Sequence, residues 1–227
     1  MKRVPRRSGV RRRTTNLRRL FIVLPLLFLF VWGCARVTLV ASYYLLDYMP
    51  VANNPRLRLE EPLPYSVQVI NFKIPRSFDS IRIIARFSTH QINYYRYSLW
   101  AVRPQVAVAD LLVQHINTYN LFQKCQREFL NVRPDYEITG EIFQIERFQS
   151  RDYTAAHLKM VYELFDYQTN ERVVRHEFNR ETPVPRENMT IFVKALSDII
   201  SEESEAFLVK VIDYFEAMEQ DTTGAFK

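Results

Sequence analysis

The chain has 227 residues, of which 31 are basic and 25 acidic, and its formal charge is +6. Nine basic residues and no acidic residue lie within 1–33, so residues 34–227 carry 31 − 9 = 22 basic against 25 acidic residues, a net charge of −3. The excess positive charge belongs to the N-terminal segment, and a nucleic-acid partner is not indicated. Gly140 is the only glycine between residues 65 and 218, which excludes a glycine-rich phosphate loop in that region.

An apolar run at residues 20–32 follows the basic residues and ends just before Cys34. A transmembrane helix needs roughly 20 apolar residues, whereas the apolar part of a secretion signal needs about 7–15. The sequence Val31-Trp32-Gly33-Cys34 resembles the lipobox of bacterial lipoproteins. Residues 1–33 are therefore predicted to be a signal peptide and Cys34 a lipidation site. The alternative is an uncleaved anchor extended by a second apolar run at 37–46, although Arg36 between the two runs would be costly inside a membrane.

Residues 34–64 are predicted to hold the lipidated N-terminus, a short strand near 41–47 and a proline-rich tether. Four prolines, at positions 50, 55, 62 and 64, punctuate this segment. Each proline removes a backbone donor and favours extended geometry in the residue before it. Such a tether would hold the folded domain away from the membrane.

Residues 65–218 are predicted to form a single domain. Period-two alternation of apolar residues predicts strands at 65–74, 80–87, 91–100, 136–148, 156–166 and 172–182. Three- and four-residue spacing predicts helices at 104–122 and 188–218, the second capped by Asn188. The predicted fold class is α+β: an antiparallel sheet of about five to seven strands covered on one face by two helices. Residues 219–227 are expected to be a flexible tail.

Catalytic and metal-binding patterns are missing from the sequence. The four histidines have no metal-ligand spacing and none lies beside a cysteine, so no metal or other cofactor is expected. His115 is predicted to lie in the core, and His157 and His176 could pair across the last hairpin. Cys125 has no activating histidine nearby and is predicted to be a structural thiol. The chain is therefore expected not to be an enzyme; the alternative is a periplasmic hydrolase, which would have a cleft with convergent polar groups and shifted titrations.

An aromatic and basic cluster occupies the third predicted strand and the residues after it. Its members are Tyr94, Tyr95, Arg96, Tyr97, Trp100 and Arg103. Exposed aromatic residues and arginines are enriched at protein interfaces. Because a strand alternates faces, about half of the cluster should pack in the core. Tyr95, Tyr97 and Trp100 are the predicted partner contacts.

The order of several short motifs resembles the ABC-type transport auxiliary lipoprotein family, which includes the PqiC-like lipoproteins. After Cys34 come YYLL at 43–46, VQVINFKIPRSFD at 67–79, IRIIAR at 81–86, YYRY at 94–97, PDYEITGEI at 134–142 and an alanine pair at 155–156. The similarity covers residues 42–215. Phe78-Asp79 departs from the tyrosine-leucine-aspartate of some relatives, which leaves open the transporter that the protein serves.

The resemblance implies a non-catalytic, membrane-anchored subunit of an ABC-type envelope system that moves lipids or other hydrophobic compounds. Its implied partners are an ABC permease and ATPase, an Mce-type periplasmic protein, or both, and relatives that form rings imply a homo-oligomer. Ala35 in place of an aspartate favours the outer membrane of a Gram-negative cell, facing the periplasm, with palmitate among the acyl chains. The alternative is an outer-membrane assembly or scaffolding lipoprotein without an ABC partner.

Overall fold

The computed structural model describes residues 40–224, with side chains up to residue 220. The described fold belongs to the unit formed by residues 41–227. Its strands are β1 (Ser42–Tyr44), β2 (Leu63–Val69), β3 (Arg82–Ser88), β4 (Gln91–Trp100), β5 (Phe122–Gln126), β6 (Tyr136–Gln149), β7 (Thr154–Asp166) and β8 (Arg172–Pro183). Its helices are α1 (Pro104–Tyr119) and α2 (Met189–Gly224), with a short 3₁₀ helix at Pro55–Leu57.

The long strand β6 organises the sheet. Along one edge it pairs antiparallel with β7, and β7 pairs with β8. Along the other edge, the start of β6 pairs parallel with β2, whose outer neighbour is β5, and the end of β6 pairs parallel with β3. Strands β4 and β1 continue the sheet beyond β3. The predicted α+β class is confirmed. The sheet is mixed and not antiparallel, as β1, β2 and β3 make parallel pairs, and the described residues form eight strands where five to seven were expected.

The buried face of β7 explains how the sheet holds α2. Ala156, Leu158, Met160, Tyr162 and Leu164 are all fully buried, as the alternating sequence predicts. The ring of Tyr162 stacks on Phe207 of α2 at 5.2 Å, and its hydroxyl lies 3.0 Å from Ser204 Oγ. Burial of such large side chains between sheet and helix supplies the main stabilising contribution of this layer.

Gly140 in β6 lies opposite Tyr162 of β7, where the neighbouring atoms leave no room for a side chain. A Cβ at this position would lie 1.9 Å from the carbonyl oxygen of Val161 and 2.7 Å from Cε1 of Phe72. Only glycine therefore fits here, because no side chain can approach a neighbouring backbone so closely.

A bulge in β6 decides which charged side chain faces the helices. The register with β7 shifts by one residue between Ile142 and Gln144. A single extra residue exchanges the two faces of a strand. As a result, Arg147 lies opposite the buried Ala156, on the side of the helices, and Glu146 lies opposite His157 on the other side.

The region after α1 differs from the prediction. The predicted helix at 104–122 ends at Tyr119, because Asn120 adopts the left-handed conformation (φ 52°) and closes the helix. Phe122, which fits the helical spacing, instead begins the unpredicted strand β5, which pairs parallel with β2. Pro104 opens α1 as expected.

The last helix begins as predicted and continues further. Asn188 Oδ1 accepts a hydrogen bond from the Ile191 N–H at 3.0 Å, which confirms the predicted cap. Helix α2 extends to Gly224, beyond the predicted end at residue 218.

The suggested pairing of His157 with His176 is wrong. In the hairpin of β7 and β8, His157 lies opposite Glu181 and His176 lies opposite Tyr162. His176 Nε2 instead lies 2.7 Å from Glu203 of α2. His115 is in the core, as predicted.

Residues 46–57, part of the predicted tether, lie against the helices. Leu46 and Leu57 are buried in the core, and Tyr48 Oη lies 3.1 Å from His115 Nδ1 of α1. The Asn54 N–H donates to the Tyr119 hydroxyl at 3.1 Å. Pro55 opens the short 3₁₀ helix of this segment, and its apolar side chains pack on the body of the domain. If Cys34 is lipidated, residues 35–41 alone connect it to β1.

Candidate functional site

Strand β4, which carries the predicted partner contacts, departs from regular pairing in its middle. Tyr94 lies opposite Ile84 of β3, and Leu99 lies opposite Arg82. Strand β4 therefore advances from residue 94 to 99 while β3 moves only from 84 to 82, so residues 95–98 form a bulge that has no counterpart in β3. On its other edge, β4 pairs with β1 through Ser98 to Trp100. Simple alternation therefore fails in this segment.

Tyr94 and Tyr97 would face opposite sides of a regular strand, but both are exposed because of this bulge. Tyr94 is 42 % and Tyr97 38 % exposed. The Tyr94 hydroxyl donates to the carbonyl oxygen of Ser77 at 2.9 Å, which fixes its ring over the surface. The guanidinium carbon of Arg96 lies 5.7 Å from the centroid of the Tyr97 ring, within the range of a cation–π interaction.

Phe87 at the end of β3 completes this surface and is 41 % exposed. A shallow groove of about 260 Å³ lies between it and β4. We call Phe87, Tyr94, Arg96 and Tyr97 the β4 surface. The exposure of Phe87 was not predicted, since in the alternating pattern of β3 this residue falls with the buried residues. The available signal for its exposure was its position near the end of the strand, two residues from the β3–β4 connection.

The other members of the predicted cluster lie elsewhere. Trp100 is 3 % exposed and packs in the core. Tyr95 is half-buried, and its hydroxyl accepts hydrogen bonds from Arg147 Nη1 at 3.0 Å and Gln149 Nε2 at 3.2 Å. Arg103 forms an ion pair with Asp79. The hydrogen bond from Gln105, together with Arg103, lowers the pKa of the Asp79 carboxyl.

Cys34, the predicted lipidation site, lies outside the described residues. Cys125 is buried, and burial raises the pKa of its thiol to about 12. A thiol with so high a pKa is not a nucleophile at neutral pH, in agreement with the predicted structural role.

The described part of the chain offers no metal centre and no membrane span. Within residues 40–224, no three His, Cys, Asp or Glu side chains are grouped so that they could hold a metal ion. No helix in the same range is long and apolar enough to cross a membrane.

Comparison with known proteins identifies the family. The model of the ABC-type transport auxiliary lipoprotein component matches residues 44–206. This match covers most of the chain, so the protein belongs to the ABC-type transport auxiliary lipoprotein family, as the sequence motifs indicate. The family is described as an auxiliary component of transport. No curated protein matches significantly.

Solved structures share the fold at low sequence identity. Protein XCC0632 from Xanthomonas campestris superposes with a TM-score of 0.67 at 16 % identity, and the match covers 79 % of this chain and 99 % of that protein. An uncharacterised protein superposes with a TM-score of 0.58 at 13 % identity, with coverage of 76 % and 99 %. At these identities the likeness shows the fold alone.

Proposed function

We propose that the protein is a non-catalytic, membrane-anchored subunit of an ABC-type envelope transport system for lipids or other hydrophobic compounds. The observation that carries this proposal is the match of the family of auxiliary transport lipoproteins to residues 44–206. Cys34 at the end of the apolar run supports the anchor, because it is the residue that a lipobox acylates. One acyl chain gives only marginal membrane binding, so stable anchoring needs more than one.

The anchor places the domain at the periplasmic side of the outer membrane in this proposal. Residue 35 is alanine rather than aspartate, which favours the outer membrane. Since residues 42–64 pack on the domain, the connection to Cys34 is short and the domain stays close to the membrane that holds it.

The β4 surface is the proposed docking site for the transporter, that is, for its Mce-type or permease subunit. It combines three exposed aromatic rings with one arginine, the residue types most enriched at interface hot spots. The bulge of β4 holds Tyr94 and Tyr97 outward together, which a regular strand would not do. The hydrogen bond from Tyr94 to Ser77 restricts the tyrosine ring. Docking of a partner therefore costs little side-chain entropy at this residue.

The proposal is tested by purifying the tagged full chain from detergent-solubilised envelopes and measuring the co-purified permease, ATPase and Mce-type subunits by quantitative mass spectrometry. Truncation of a hot-spot tyrosine costs about 2 kcal/mol, so Tyr97→Ala should lower the amount of bound partner roughly 30-fold. Tyr167→Ala is the matched control, because Tyr167 is 39 % exposed and lies in the β7–β8 turn.

The two parts of the proposal fail in different ways. If the wild-type chain retains none of these subunits, the transport role is wrong and a scaffolding lipoprotein is favoured. If it retains them and Tyr97→Ala behaves like Tyr167→Ala, the role stands and the β4 surface is not the docking site.

A further inference from the structure

A polar cavity of about 670 Å³ lies beside the start of α2, next to the ends of β4 and β6. Residues from four parts of the chain form its wall, among them Tyr44, Tyr95, Arg147, Arg186, Glu187 and Thr190. Ligand pockets have volumes of about 300–1,000 Å³, so the cavity has the size of a binding site. Tyr95 and Gln149 line both this cavity and the groove of the β4 surface.

Arg147 is a buried cation in this wall without an acidic partner. It is 3 % exposed, and no carboxylate of the described residues lies within 4.0 Å of its nitrogens. Its Nη1 donates to the Tyr95 hydroxyl at 3.0 Å, and its Nη2 donates to the carbonyl oxygens of Pro185, at 2.8 Å, and Arg186. Its Nε has no hydrogen-bond partner among the described residues. A buried charge without a counter-charge is costly, so an anion from outside would stabilise this arrangement.

The start of α2 adds a second attraction for an anion. Asn188 caps the Ile191 N–H, and Met189 and Thr190, which open the helix, line the cavity. The first amides of a helix have no intrahelical partner and carry a partial positive charge. Backbone amides at such a helix start bind phosphate and related anions.

The charges of the wall favour a negatively charged ligand. Arg147 and Arg186 contribute two positive charges and Glu187 one negative charge, which leaves a net charge of +1. Arg186 is exposed, and its Nη2 donates to the carbonyl oxygen of Ser150 at 2.8 Å, which holds its side chain across the connection between β6 and β7.

We propose that this cavity binds a phosphate group. Donors surround the space from several directions: two guanidinium groups, tyrosine and threonine hydroxyls, and the first amides of α2. A tetrahedral phosphate offers acceptor oxygens in several directions, whereas a carboxylate offers two oxygens in one plane. Apart from two tyrosine rings, Met189 is the only apolar side chain that the described residues contribute to the wall, so the cavity suits the polar end of a ligand better than a hydrocarbon chain.

Two sources supply this chemistry: the headgroup of a phospholipid and a free phosphate ester. The headgroup as source rests on the proposed function, because the proposed lipidation would hold the domain at a membrane. Tyr44 follows Cys34 by 44 − 34 = 10 residues. Ten residues span at most roughly 36 Å, so an acylated Cys34 would keep the cavity within that distance of the membrane.

The test uses the full chain in dodecyl maltoside and three matched probes. Glycerol 3-phosphate carries the phosphate alone, dioctanoyl phosphatidic acid carries the phosphate and chains, and dioctanoylglycerol carries the chains alone. Binding is measured by native mass spectrometry and isothermal titration calorimetry. We expect binding of at least one phosphate-bearing probe and none of dioctanoylglycerol. Equal affinity for the two phosphate-bearing probes would identify a free phosphate ester as the ligand. Affinity at least tenfold higher for phosphatidic acid would identify a lipid headgroup.

Four variants identify the cavity as the site. Arg147→Gln and the exposed Arg186→Gln should each weaken phosphate binding about tenfold, the usual effect of losing one charge-assisted hydrogen bond. Glu187→Gln should strengthen it, since it removes the one negative charge of the wall. Arg172→Gln is the control, because Arg172 is an exposed arginine of β8 paired with Glu163 at 2.7 Å. Absence of binding by both phosphate probes, equal binding of dioctanoylglycerol, or equal affinities of Arg186→Gln and Arg172→Gln would overturn the proposal.

Discussion

Glu146 and Arg147 are neighbours in β6, and both are buried, but their surroundings are opposite. Glu146 is fully buried on the face away from the helices, where Arg86 Nε lies 2.5 Å and His157 Nδ1 lies 3.2 Å from its Oε1. His157 in turn bonds Asn179 Oδ1 through Nε2 at 2.8 Å. The acid is thus part of a row of side chains from β3, β6, β7 and β8. Its Oε2 has no partner among the described residues.

Arg147, one residue further on, meets only neutral acceptors within the described domain. Burial of a charge alone therefore does not mark a binding site. Where a buried charge is neutralised from within the fold, loss of one partner is strongly destabilising, whereas a buried charge that lines a cavity and lacks a counter-charge points to a ligand. Three variants test this difference.

The largest expected effect is that of Glu146→Ala. The change leaves Arg86 and His157 partly buried without their shared acid, and breaking a buried ion pair costs about 3–5 kcal/mol. The free energy of unfolding of the full chain in urea should fall by about 3 kcal/mol. Glu177→Ala is the control: its ion pair with Arg175 lies on the surface, and such pairs contribute less than about 1 kcal/mol. Equal effects of the two variants would refute the structural role of Glu146.

Arg147→Gln should have a smaller effect. The variant loses hydrogen bonds to Tyr95 and to the carbonyls of Pro185 and Arg186, but it also removes a buried charge that nothing in the described domain neutralises. We expect a loss of about 1 kcal/mol in the free energy of unfolding in phosphate-free buffer. A loss as large as that of Glu146→Ala would mean that Arg147 is neutralised from within the protein, and the contrast between the two residues would disappear.

The smallest expected effect is the pH dependence of the contribution that His157 makes to the free energy of unfolding. Burial alone would lower the pKa of His157, but its hydrogen bonds to Glu146 and Asn179 outweigh burial and raise the pKa above 6.5. Burial alone would raise the pKa of Glu146, but the hydrogen bonds from His157 and Arg86 lower it below 4.5. The protonated histidine therefore stabilises the folded state fully below pH 6.5, and this contribution is lost as the pH rises through the folded-state pKa.

The measurement is urea unfolding of the wild type and His157→Gln at several pH values between 5 and 9. The stability difference between them should be largest near pH 5.5 and should shrink as the pH rises. A difference that is constant over this range, or that grows with pH, would contradict the assigned ion pair of His157 with Glu146.

The sequence predicts the positions of the helices and strands better than it predicts which strands pair. The alternation in β7 gives its buried face correctly, and Pro104 and Asn188 locate the starts of both helices. Strand β5 was not predicted because Phe122 fits the three- and four-residue spacing of helix α1 as well as the two-residue spacing of a strand. Asn120, a residue that tolerates the left-handed conformation, was the available signal for the end of α1. Parallel pairing of β2 and β3 with β6 joins distant parts of the chain, which local patterns do not encode.

The two candidate sites were predictable to different degrees. Aromatic composition points to β4, yet only the bulge decides that Tyr94 and Tyr97 are exposed while Trp100 is buried. Arg147 was not predicted as a site residue at all. In a strand of unbroken alternation it would lie on the face away from Ile138 and Ile142, and the one-residue shift at the β6 bulge brings it to the helix side.

The mass and N-terminus of the protein extracted from envelopes test the central claim, membrane anchoring through Cys34, most directly. Our account predicts a mature chain that begins at Cys34 and carries acyl groups on that residue, and it predicts that Cys34→Ala is neither processed nor acylated. A protein that retains residues 1–33 with an unmodified thiol at Cys34 would contradict the account.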